Sequence, residues 1–127
     1  MQLPLPRATE LRSRPPGYAG FFRCFNSGQF FEAHEELEPC WLEVRGGPIA
    51  DFYKALIQVA GAFVHWRQGR TAPARRLIRR AAELLQPFPS PTAGLDLDSV
   101  RRRLSSWETL FTERDPPPIP ATGARPK

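Results

Sequence analysis

The sequence predicts an all-α fold: a single small bundle of about five helices around a central antiparallel helical hairpin. Three observations carry this expectation. Apolar residues recur at helical spacing between residues 18 and 113, and no stretch shows strand alternation or an internal repeat. Stop and start signals punctuate the periodic segments, notably "NSG" at 26–28 and "GG" followed by Pro48. A chain of 127 residues with 41% hydrophobic content is long enough to bury one core.

The first helix is expected over about 18–25 and ends at "NSG". The second spans about 29–45 and the third about 48–68. The glycines stop one and Pro48 starts the next, and so short a connection makes the two an antiparallel hairpin. The apolar residues of the third helix, from Phe52 to Trp66, cover nearly its whole circumference, which marks a central helix. Its one polar stripe holds Asp51, Lys54, Gln58 and His65, flanked by Gly61 and Ala62, small residues that would let another backbone come close. The fourth helix, about 72–86, turns Leu77, Ile78, Ala81, Leu84 and Leu85 inward and Arg75, Arg76, Arg79 and Arg80 toward water. The fifth, about 98–113, has Asp98 or Ser99 as N-cap and a stripe of Val100, Leu104, Trp107 and Phe111. Residues 1–17, rich in Pro and Arg, and 114–127, with "PPPIPATGARPK", have little to bury and are expected to be flexible or disordered tails around a helical domain at 18–113.

Composition narrows the function classes. The longest apolar run, "ALIQVAGAFVHW", is interrupted by Gln58 and His65, so no membrane span is expected. The leading residues lack the apolar stretch of a signal peptide, so the expected location is cytoplasmic. Cys24 and Cys40 have no metal-finger spacing and read as reduced thiols, with one bridge left open. The net charge of +5 points toward nucleic acid, but all but two of the 18 basic residues are arginine and prolines number 15, which looks partly like coding bias.

The most informative stretch is "FFEAHEELEPCW", residues 30–41. Wound at about 100° per residue from Phe30, Trp41 falls near 20°, His34 near 40°, Glu38 near 80° and Phe31 near 100°, while four other glutamates face away. His34 and Glu38 are therefore neighbours one turn apart within the apolar arc. Pro39 lies opposite that arc, where a bend would curve the helix around the core. Folding the hairpin about residue 47 sets Gln58 between His34 and Glu38 in height, Lys54 about 3 Å below Glu38, and His65 about 7.5 Å beyond His34.

The pattern H-x-x-x-E-x-x-W (His34, Glu38, Trp41) after "FNSGQFFEA", followed by "LIQVAGAFVHWRQG" and "ARRLIRRAAELL", resembles the domain of unknown function 309 family of small bacterial and archaeal helical proteins. The likeness covers roughly residues 20 to 86. It implies an all-α fold and a His/Glu motif able to bind metal, and it implies no reaction.

Several functional readings follow. In the first, His34 and Glu38 form a buried polar site with Gln58 and Lys54, mainly structural or lining a small-ligand pocket. In the second, His34 and Glu38 ligate a divalent metal, with His65 or Glu35 as third ligand, and support a metal-dependent hydrolase. "HEELE" departs from the zincin H-E-x-x-H because Glu38 replaces the second histidine, and Phe31 excludes the E-x-x-H pair of di-iron bundles. His34 beside a carboxylate also suits acid/base chemistry, but Ser27, Ser90, Ser99, Ser105 and Ser106 lie in loops or the last helix, away from any base. A third reading makes the arginines of the fourth helix and Arg101–Arg103 a surface for nucleic acid or an acidic protein; no helix-turn-helix or phosphate loop accompanies them, and solvated helix faces are the plainer interpretation. Trp66, Trp107 and Phe111, read as surplus exposed aromatics, leave room for a homo-oligomer.

Overall fold

The computed structural model describes residues 1–113. The tail expected at 114–127 lies outside them. Among the described residues six helices follow one another: α1 (Ala8–Ser13), α2 (Pro16–Asn26), α3 (Phe30–Val44), α4 (Ala50–Arg67), α5 (Thr71–Leu85) and α6 (Leu97–Glu113). The five helices expected from sequence are α2 to α6, each within two residues of the anticipated ends. The chain packs in order, α2 on α3, α3 on α4, α4 on α5 and α5 on α6. No helix among these residues is long and apolar enough to cross a membrane.

The centre of the bundle is aromatic because α2 to α4 each place rings on their inner stripe at helical spacing. Phe63 of α4 is fully buried, with ring centroids 4.8 to 5.5 Å from Phe25, Phe30, Trp107 and Phe111 and 6.1 Å from Trp66. This cluster corrects one expectation. Trp66 is only 7% exposed, and Trp107 and Phe111 are likewise buried, so these rings pack inside the chain and are not the exposed surplus expected. As anticipated, α4 is buried over most of its circumference, from Phe52 to Trp66. A Cβ placed on Gly61 would lie 3.3 Å from Leu77 Cδ1, so α5 comes close there through a side chain rather than its backbone.

Residues 1–17 depart from the flexible tail inferred from their composition. They contribute α1 and bury Leu3, whose backbone N–H donates to Asn26 Oδ1 at 2.8 Å while Asn26 Nδ2 donates back to its carbonyl. Arg7 N–H donates to the carbonyl of Gly94 at 3.0 Å, and the Arg14 guanidinium donates to the Tyr53 hydroxyl at 3.1 Å. The receptor is a tight turn in which Thr92 and Leu95 exchange backbone hydrogen bonds. Gly94 has φ +75°, and a Cβ there would lie 2.5 Å from Glu10 Cγ, so glycine serves both the turn and the close approach of α1. Local composition carries no trace of such long-range pairings.

The N-terminal end of the last helix also differs in detail from expectation. Asp96 caps it, accepting from the Ser99 N–H at 3.1 Å, in place of Asp98 or Ser99. That hydrogen bond holds the Asp96 carboxyl below its ordinary range. Ser90 Oγ accepts from the Leu97 N–H at 2.9 Å and satisfies a second orphan donor. Pro39 is accommodated inside a continuous, solvent-facing part of α3.

Candidate functional site

Helix α3 has three working faces. Phe30, Ala33, Leu37 and Cys40 enter the core. On one flank α2 approaches so tightly that a Cβ on Gly17 would collide with the Glu36 carbonyl oxygen and lie 2.8 Å from Cys40 Sγ. Phe31, His34, Glu38, Trp41, Leu42 and Arg45 make a stripe that stays at least partly open to solvent. Cys24 and Cys40 are both free thiols, and burial pushes both pKa values up.

The structure brings His34 and Glu38 together, though at the surface. Their side chains are 35% and 46% exposed, and His34 Nδ1 stands 3.9 Å from Glu38 Oε1, beyond hydrogen-bond range. The buried pair inferred from the helical wheel is thus corrected. The apolar arc is wider than the surface that α2 and α4 cover, and the pair sits on its uncovered edge. Phe31, itself exposed, lies nearly parallel to the His34 ring, with centroids 6.5 Å apart and planes at 8°.

The expected partners from α4 divide. Lys54 does not reach Glu38; its ammonium lies 5.7 Å from the centroid of the Trp41 ring, with the Arg45 guanidinium at the same 5.7 Å. Two cations on one indole are a sound use for a half-buried Trp, each contributing about 0.5–1 kcal/mol at an exposed site. Gln58 lies one turn on from Lys54 along α4, and its Oε1 is buried with no hydrogen-bond partner. The same holds for His34 Nδ1, although the rest of its ring is partly open. The polar set does not close into the self-satisfied network anticipated. Arg45 was missed at the sequence level, although winding places it near 60°, between His34 and Glu38.

His65 is not a partner of the pair. Its Nδ1 accepts from Arg70 Nε at 2.9 Å, and burial, then the Arg70 and Arg76 charges, push its pKa below the ordinary value. Among the described residues no three His, Cys, Asp or Glu side chains converge to hold a metal. The expected set of His34, Glu38 and His65 is therefore not assembled, and Glu35, the other candidate, is solvent-exposed. Two donors 3.9 Å apart fall short of the roughly three protein ligands of a catalytic zinc site.

The arginine surface is likewise partly spent. Arg79 pairs with Glu108, Arg80 with Glu83 and Arg101 with Asp98, and Arg101 also donates to the carbonyls of Leu85 and Phe88. Such pairing breaks up the continuous basic face that a polyanion would need.

These features define a class: a small α-helical bundle domain whose hairpin carries an H-x-x-x-E-x-x-W helix along an open seam. Residues 18–77, from α2 into α5, match the family described as "Domain of unknown function (DUF309)". The chain is 28% identical over 97 residues to an uncharacterized protein of Aquifex aeolicus (strain VF5), an alignment covering 75% of this chain and 28% of that protein. It is 32% identical over 88 residues to "Uncharacterized protein YpuF" of Bacillus subtilis (strain 168), covering 68% of this chain and 51% of the relative. It thus spans about half the length of the second relative and less of the first. No solved structure matches it.

Proposed function

We propose that the α3–α4 seam is a binding site for a small ligand that donates hydrogen bonds, a hydroxyl- or amine-bearing molecule. The observation that supports this most is the pair of buried, unpartnered atoms, His34 Nδ1 and Gln58 Oε1, on two helices that pack together. A buried polar atom left without a partner costs about 1–3 kcal/mol, and such orphans are concentrated where a water or ligand belongs. With its proton on Nε2, the His34 imidazole presents Nδ1 as an acceptor. Glu38 and Gln58 add a carboxylate and a carbonyl, so the site is rich in acceptors and asks for donors. Phe31 and Trp41 supply apolar walls. In this reading Lys54 and Arg45 set the orientation of Trp41 and leave Glu38 uncompensated for the ligand.

Amide NMR of the full chain, titrated with a panel of amines, polyols and amino acids, tests the proposal. At least one member should shift the resonances of residues 31–41 and 54–58 saturably, and His34→Ala with Gln58→Leu should abolish the shifts. Perturbations that appear only outside α3 and α4, or that survive both substitutions, would reject it.

A further inference from the structure

A cleft lies at the far end of the hairpin from the Gly46–Gly47 turn. It has a volume of about 970 Å³ and is open to solvent. Three guanidinium-bearing residues line it, Arg67 from the end of α4 and Arg102 and Arg103 from α6, and no Asp or Glu does. Among the described residues none of the three has a carboxylate within ion-pairing distance, in contrast to Arg79, Arg80 and Arg101. Ser27, Ser99 and Ser106 line it as well.

Two of the arginines are already held in place. Arg67 donates to the Gly28 carbonyl at 2.7 Å, and its Cζ lies 4.6 Å from the centroid of the Phe30 ring. Arg103 donates to Ser99 Oγ. Neither contact neutralises the charge, so both side chains are fixed without being electrically satisfied. Arg102 is exposed beside them. The wall of the cleft also holds an unpaired donor. Trp66 lines the cleft and is 7% exposed, yet its indole N–H has no acceptor. Donors fixed around an open volume, with no anion of the chain's own among the lining residues, call for an acceptor from outside.

We propose that this cleft binds a small organic phosphate, with Arg67, Arg102 and Arg103 as its charge-bearing contacts. Planar guanidinium groups suit phosphate oxygens through paired hydrogen bonds. The charges converge on one concavity, at the upper end of the roughly 300–1,000 Å³ typical of small-ligand sites, whereas a nucleic acid backbone calls for cations spread along a track. The proposal is independent of the His34 seam, since the two share no side chain.

Calorimetric titration of the full chain with inorganic pyrophosphate and with adenosine triphosphate, at near-physiological salt, provides the test. Saturable one-to-one binding is expected, and Arg102→Gln with Arg103→Gln should weaken it by about tenfold or more. Arg75→Gln with Arg76→Gln on α5 should leave it unchanged, and circular dichroism checks that both variants fold. No binding of either probe overturns the proposal. So does equal weakening in both double variants, which would mean a diffuse basic surface. Binding of a duplex RNA through both arginine sets, with the steep salt dependence of a polyanion, would replace the small phosphate with nucleic acid.

Discussion

Replacing Gln58 by leucine separates a ligand site from a flaw in packing. The two residue types have nearly equal helix propensity and similar size, so α4 itself is not perturbed. What changes is the amide: Oε1 is buried without a partner in the free protein. Removing that orphan recovers about 1–3 kcal/mol of desolvation cost. The branched side chain costs up to about 1.5 kcal/mol in repacking, because α3 and α5 flank this part of α4. Partial burial of the new apolar surface offsets some of that, so a net gain of roughly 1–2 kcal/mol is expected. Urea unfolding followed by tryptophan fluorescence reads it as a higher midpoint with unchanged slope, and thermal melts as a rise of about 4 °C per kcal/mol. The leucine side chain has no acceptor to offer, so the same variant should lose the ligand-dependent shifts. A destabilisation above about 1 kcal/mol would refute the reasoning, because it would mean that the Gln58 amide is satisfied in the folded protein.

Four further outcomes follow from the packing. Glu38→Ala should change stability by less than about 0.5 kcal/mol in urea melts, since its carboxylate is half exposed and makes no hydrogen bond; a loss of several kcal/mol would restore the buried-pair reading. Gly17→Ala should cost about 1–3 kcal/mol or more because its Cβ meets the Glu36 backbone carbonyl, while Gly20→Ala, which meets only the movable end of the Glu36 side chain, should cost less; equal costs would mean that α2 and α3 are not so closely spaced. Phe63→Ala should destabilise by about 3–5 kcal/mol or prevent folding, as judged by circular dichroism, because five aromatic neighbours lose their shared contact. His65 has a folded pKa below its ordinary value, so the unfolded chain takes up the proton first as pH falls through about 6.5; stability present above that pH should decline below it. Melts of His65→Gln between pH 7.5 and 5.5 should show a shallower decline, and a slope equal to that of the unmodified chain would remove His65 as the cause.

The fold was legible where a single helix decides the matter. Helix α4 reads as central because apolar residues occupy almost every direction around it, and the structure buries it accordingly. The docked N-terminal segment was not legible, because Arg7, Leu3 and Arg14 are held by Gly94, Asn26 and Tyr53, partners whose proximity depends on the finished bundle. The aromatic residues of α6 were misjudged for a related reason. Surplus rings look exposed until a neighbour, here Phe63, is found to collect them. For the site, winding α3 grouped His34, Glu38 and Trp41 correctly but could not say which edge of the arc its neighbours cover. That was decided by Gly17 and Gly20, which admit α2 against the Glu36 and Cys40 flank and leave the His34 edge open.

Both candidate sites use the same scaffold. Helix α4 is buried over most of its surface, so it can present chemistry only along its narrow polar stripe and at its C-terminal end. Gln58 and Lys54 occupy the stripe, and Trp66 and Arg67 the end, about 12 Å further along the axis from Gln58. The aromatic cluster around Phe63 lies between them and holds the helix fixed. A rigid helix that carries unpartnered polar atoms at two places keeps those atoms aimed without the entropic cost of ordering them on binding. On that ground neither site requires the bundle to rearrange, and a ligand at one should leave the amide resonances of the other in place.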